Sequence, residues 1–296
     1  MGTNDTQRRR GLAAGIVAAA IWGGMYVVSE VVLDVILPFS LQSLRLLLGS
    51  AALGLWLKAR DEFPRPSRRQ LVALLGAGAL GCGLSLGLQF VGTLLSTAAN
   101  AAVVTATTPA FVYLFAAPLL QERIGRRRWL ALLLSTLGVV AVLDPSRAAL
   151  TPARWQGNLI LVGAALTWAL YSVLARRLTQ EMGALPFTFV ALNGGLLVSI
   201  PMAIGELTSK AIGPVGLGAW AGVLYLGLVS TALAFYLWNL AFERLEAGTA
   251  SLTFFAQPLV GASLGAALLG EQLTPMFLLG SALILAGIYL AARPGD

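Results

Sequence analysis

The chain has 296 residues, 57% of them hydrophobic and 11% charged, with a net charge of +7. Soluble domains carry roughly 25% charged residues, so a soluble fold of this length could not hide so much apolar surface. There is no histidine and one cysteine, Cys82, which removes histidine triads, histidine metal sites and any disulfide within the chain.

Long apolar runs succeed one another at the length that crosses a bilayer. They cover 11–36, 40–57, 71–94, 98–120 and 129–143, then 157–175, 186–204, 217–242, 250–269 and 276–292. Alanine, leucine and glycine run unbroken in them, whereas a β-barrel would alternate polar and apolar residues. The expectation is an all-α polytopic membrane protein with ten transmembrane helices. Arg8–Arg10 precede the first run in the manner of a signal peptide. That run is too long for one and contains Trp22, Tyr26 and Glu30, so it reads as a retained first span.

The polar stretch 145–156 divides the spans into two sets of five, 11–144 and 157–293. The sets repeat each other. The segment from Ala98 to Glu122 returns 149 positions later as Ala247 to Glu271, with Pro109 on Pro258, Ala117 on Ala266, Leu120 on Leu269 and Glu122 on Glu271. Trp22 similarly corresponds to Trp168, Pro38-Phe39 to Pro186-Phe187, Leu44-Arg45 to Leu192-Asn193 and Gly138 to Gly287. Five spans is an odd number, so the second set enters the membrane from the opposite side. This is an inverted-topology repeat, an architecture associated with alternating-access transporters.

Basic residues set the orientation. With the N-terminus inside, the inner loops hold Arg8–Arg10, Lys58, Arg60, Arg65, Arg68, Arg69, Arg123, Arg126–Arg128, Arg176, Arg177, Arg244 and Arg293. The outer loops hold only Arg147, Arg154 and Lys210. Both termini are therefore expected in the cytoplasm, and the net charge reflects membrane topology rather than nucleic-acid binding.

Polar side chains at bilayer depth face the bundle interior, and helical spacing groups them. Trp22, Tyr26 and Glu30 recur every four residues, as do Ser85, Gln89 and Thr93. Asn100 and Thr108 share a stripe that corresponds to Thr249, Thr253 and Gln257. Trp168 and Tyr171 with Ser172, and Trp238 with Asn239, complete the set. The expected substrate cavity is thus lined by Trp22, Tyr26, Gln89, Asn100, Thr108, Trp168, Tyr171, Trp238, Asn239, Thr249, Thr253 and Gln257. Such a lining suits a small amphipathic solute. For any single serine or threonine, bonding back to its own helix is the competing reading. For the tryptophans it is the interfacial belt, which claims Trp56, Trp129, Trp155 and Trp220.

Arg45 either snorkels outward or pairs with Glu30. Glu30 is then that partner, or else a proton or cation site. Pro109 and Pro258 each remove a backbone donor and are expected as hinges. Glu122 and Glu271 are expected at the interface as helix-end or lid contacts rather than as substrate ligands. Gly138, Gly280 and Gly287 give the fifth and tenth spans small faces that could pack within the chain or in a homodimer.

Several of these residues together resemble a known family. They are Ile21-Trp22-Gly23, the duplicated proline with a glutamate thirteen residues later, and the glycine-containing ends of both halves. The chain resembles the drug/metabolite transporter superfamily, and within it the EamA-type permeases. The resemblance implies a ten-helix inner-membrane carrier with a central cavity between inverted halves, exporting amino acids and related metabolites. An organic-cation or drug transporter is the alternative. A membrane-embedded enzyme is disfavoured by the lack of catalytic parts, and a receptor has no reason to keep an inverted duplication with a polar interior. The partners expected are a small-molecule solute and the lipid bilayer, with no cofactor, metal or nucleic acid.

Overall fold

The computed structural model describes residues 3–96, 101, 104–123, 125–143, 155–209, 214–269 and 275–292. Asn100 and Glu271 lie outside the described residues, as do the side chains of Tyr26 and Glu30. Among the described residues all regular structure is helical. The first half contributes α1 (Thr3–Leu33), α2 (Pro38–Ala59), α3 (Arg68–Leu94), α4 (Thr108–Leu120) and α5 (Arg126–Leu143). The second half contributes α6 (Trp155–Met182), α7 (Ala184–Ser209), α8 (Leu217–Arg244), α9 (Ala247–Leu252), α10 (Ala256–Leu269) and α11 (Pro275–Ala292).

Among the described residues, α2, α3, α6, α7 and α8 are each long and apolar enough to cross a membrane. α4 and α11 are apolar but shorter. The outer faces carry large exposed apolar side chains, among them Leu55, Leu94, Leu114 and Leu217. In water such a surface would aggregate; against acyl chains it costs nothing.

The helices of one half pack largely on those of the other. α1 lies against α8 and α10, α2 against α7, α3 and α4 against α6, and α5 against α11. Close crossings depend on missing side chains. A Cβ on Gly138 would come within 2.6 Å of the Gly280 carbonyl oxygen, and one on Gly287 within 2.8 Å of that of Ala131. The small faces of α5 and α11 are therefore used against each other within the chain. The same device joins α3 to α7, where a Cβ on Gly78 would strike the Ala191 carbonyl and one on Gly194 that of Leu75.

Two long helices contain a wide turn that their sequences do not announce. Ala79–Ser85 in α3 and Tyr225–Leu233 in α8 are π-helical. They occupy equivalent places in the two halves. A π turn shifts the register of the side chains beyond it relative to those before it.

The prolines also differ from expectation. Pro109 does not kink a continuous helix. It sits in the first turn of α4, after a tight turn in which Thr107 N bonds to Val104 O at 3.1 Å. At that position a missing N–H removes no helical bond. Pro258 likewise falls in the first turn of α10, directly after the 3-10 turn Thr253–Phe255. In both halves the break precedes the proline.

Candidate functional site

The central cavity is built where α1, α2, α3, α4, α6, α8 and α10 meet. Trp22, Arg45, Gln89, Thr108, Trp168 and Gln257, all singled out in the sequence, lie on its wall. So do Met25, Ser85, Thr105, Phe235 and Phe254. Its volume is about 50 Å³. One water needs roughly 10–15 Å³ on this measure. The cavity therefore has room for only a few waters in this conformation, and a solute of amino-acid size needs the walls to move apart.

Aromatic rings form one wall. The Trp22 ring lies 5.6 Å from Trp168 and 5.4 Å from Phe235 on this wall, and 5.4 Å from Trp238 packed behind it, centroid to centroid. Phe254 packs against Trp238 at 5.6 Å. Most of these contacts are edge-to-face, the arrangement that aligns ring edges with neighbouring π faces. Trp22 Nε1 donates to Ser230 O at 3.0 Å, on the π segment of α8. Trp168 Nε1 is buried and takes no acceptor among the described residues. A buried donor of this kind is completed by water or ligand.

Arg45 is the charged group of this wall among the described residues. It does not snorkel: only 3% of it is exposed. Nε donates to Thr231 Oγ1 at 3.1 Å, and Nη2 lies 3.3 Å from Met25 Sδ. The Thr231 hydroxyl in turn donates to Leu226 O at 2.7 Å, five residues back along the π turn. The widened backbone thus fixes the hydroxyl that receives the guanidinium. Pairing with Glu30 concerns a side chain outside the described residues.

Five expected lining residues are not on this wall. Tyr171, Trp238 and Asn239 are fully buried behind the aromatic rings. Asn239 Nδ2 donates to Tyr171 Oη at 3.0 Å and to Thr188 Oγ1 at 2.9 Å. Trp238 Nε1 donates to Ser172 Oγ at 3.2 Å. The amide and phenol therefore satisfy each other away from the cavity. Thr253 bonds back to Ala250 O at 2.7 Å and packs against Gly15, and Thr249 is also buried outside the cavity. For Thr253 the local back-bonding reading is the one realised.

Met25, Thr105, Phe235 and Phe254 line the cavity without their side chains having been marked by the sequence. Thr105 belongs to the turn before α4, and its periodicity is hidden by that break. The two phenylalanines carry no polar group to separate them from ordinary core residues.

The aromatic rings, the buried arginine and the two amides thus line one space between the helices, and the known proteins to which the chain is similar are named as transporters. The model of the EamA-like transporter family matches residues 9–143 and again 155–293. An uncharacterized transporter of Bacillus subtilis, YetK, is 28% identical over 277 residues, covering 92% of this chain and 84% of its own. A protein of Salmonella typhimurium named as a probable amino-acid metabolite efflux pump is 25% identical over 299 residues, covering 96% and 94%. One from Streptantibioticus cattleyicolor, named as a probable terminal-alkyne amino-acid exporter, is 28% identical over 231 residues, covering 77% and 75%. A solved crystal structure shares the fold with a TM-score of 0.82 at 24% identity, over 95% of this chain and 97% of that one. Since the family model covers nearly the whole sequence in two successive copies, the chain belongs to the EamA-like transporter family and is a multi-pass membrane protein.

Proposed function

We propose that the protein is an inner-membrane permease that exports small amphipathic metabolites, amino acids first, by alternating access. Its ten spans form two inverted repeats, with both termini in the cytoplasm. The observation that carries this reading is the central cavity, which places Arg45 and the amides of Gln89 and Gln257 around a space walled by aromatic rings. A guanidinium has five donors, so Arg45 can keep Thr231 and still hold a solute carboxylate. The rings take the side chain.

The cavity is small, and the polar group of Tyr171, Asn239 and Thr188 lies behind the rings. The breaks before Pro109 and Pro258 act as the hinges, and the solute passes when the halves rock about them. The relatives named as amino-acid exporters support the substrate class.

The test is counterflow in proteoliposomes with a broad amino-acid panel. Exchange of at least one amphipathic amino acid is expected. A purified, folded protein that moves none of the panel would remove the substrate class.

A further inference from the structure

A second cavity, of about 330 Å³, opens where α2 and α8 end and α7 begins. On the same measure the central cavity has about 50 Å³. Ligand sites typically measure some 300–1,000 Å³, so the second cavity is already of ligand size. It lies toward the basic ends of α2 and α8.

Its charged groups balance. Arg60 and Arg244 line it together with Glu62 and Glu243. Arg60 Nε and Nη2 both lie on Glu62 Oε1, at 3.0 and 2.9 Å. Arg244 Nη1 donates to Gln7 Oε1. Its Nε is buried and takes no acceptor among the described residues. Glu243 Oε2 accepts from Ala184 N at 2.5 Å. A simple anion would meet two carboxylates here and a simple cation two guanidiniums. A ligand with an oxyanion and an ammonium a few bonds apart satisfies both signs by charge-assisted bonds.

The remaining wall identifies the source. Trp56 and Tyr236 pack edge to face at 5.1 Å. Trp56 is 37% exposed and its neighbour Leu55 is 70% exposed. A half-exposed tryptophan beside exposed leucine marks the level where headgroups meet acyl chains. We propose that this cavity holds the headgroup of a zwitterionic phospholipid of the phosphoethanolamine type. Its phosphate lies on Arg60 and Arg244, its ammonium on Glu62 and Glu243, and its chains run along Trp56 and Leu55. The occupied site bridges α2 of one half to α7 and α8 of the other. The inference does not depend on which solute the protein carries.

The test is native mass spectrometry of the delipidated full chain with dioleoyl phosphatidylethanolamine, phosphatidylglycerol and phosphatidylcholine at equal concentration. Retention of phosphatidylethanolamine about ten-fold above the other two is expected, the scale of one charge-assisted bond. The double variant Arg60→Gln, Arg244→Gln should lose that preference, and Glu62→Gln should raise phosphatidylglycerol at its expense. If loss of the Gln7 contact unfolds the double variant, Arg60→Gln alone carries the test, since its side chain is 53% exposed and bonds only to Glu62 among the described residues. Equal retention of the three lipids by the unmodified protein overturns the proposal, as does unchanged preference in the arginine variants. Displacement of the lipid by a free amino acid at matched concentration overturns it too, because the cavity then serves a soluble zwitterion.

Discussion

Glu122 holds the start of α9 in the other half of the molecule: Oε1 accepts from Ala247 N at 2.7 Å, and Oε2 accepts from Gly248 N at 3.1 Å. These are amides that a helix start leaves without intrahelical partners, and the carboxylate also lies at the positive end of the helix dipole. The glutamate that closes the first copy of the duplicated segment thus fixes the beginning of the second copy. Replacing such a cap by alanine costs about 0.5–2 kcal/mol. Glu122→Ala should therefore lower the thermal midpoint in detergent. Glu122→Gln should lower it less, since one oxygen still accepts. Equal midpoints for all three proteins would show that water replaces the cap without loss.

Arg45 and the solute carboxylate provide the second prediction. A hydrogen bond to a charged group contributes about 1.5–3 kcal/mol, which is roughly ten- to hundred-fold in affinity. Arg45→Gln should raise the KM for a transported amino acid by that factor, and should weaken competition by the matching amino alcohol far less. A variant that loses both ligands equally would place Arg45 in the scaffold.

The buried group of Asn239, Tyr171 and Thr188 is the third. Asn239→Ala leaves the Tyr171 hydroxyl without its amide partner, at a cost of about 1–3 kcal/mol. Tyr171→Phe should cost less, because the hydroxyl leaves together with its need for a partner. The double variant should be more stable than the sum of the two losses implies, which a double-mutant cycle on detergent unfolding measures. Additive losses would contradict the hydrogen bonds described.

The prolines give a prediction in which stability and function separate. Since Pro109 and Pro258 sit in first turns, Pro109→Ala and Pro258→Ala should leave the unfolding midpoint nearly unchanged. As hinge positions they should slow solute exchange. Normal exchange rates in both variants would confine them to a passive role as helix starts.

Gly138 tests the packing of α5 on α11. A methyl group there meets the backbone of Gly280 and Ile284, which cannot swing aside as a flexible side chain would. Overpacking of this kind costs about 1–3 kcal/mol. Gly138→Ala should lower the unfolding midpoint, whereas Gly76→Ala, where the added carbon meets nothing within 4 Å, should raise it slightly, alanine being the better helix former.

Much of this protein was legible from local pattern. Long apolar runs cannot be other than membrane-compatible helices, because backbone amides in lipid must bond within the segment. The duplication identified Glu122 as a helix-end contact before its partners were known, and the small faces of Gly138 and Gly287 as packing surfaces. The candidate site was legible only in part. Trp22, Gln89, Thr108, Trp168 and Gln257 reach one cavity together with Arg45. Trp238 and Asn239 share their chemistry and turn away from it, held by Ser172, Tyr171 and Thr188.

The difference has a physical cause. The sequence by itself determined the helices, their duplication and the family, since each rests on hydrophobic length and on residues read within one segment. The tertiary structure decided which polar groups satisfy one another and which are left to line a space. Hydrogen bonding between α6, α7 and α8 is settled by distance in three dimensions. The π turns at Ala79–Ser85 and Tyr225–Leu233 rotate the side chains beyond them away from the spacing an ideal helix would give. Thr231 meets Arg45 because of that turn, and no periodicity in the chain announces it.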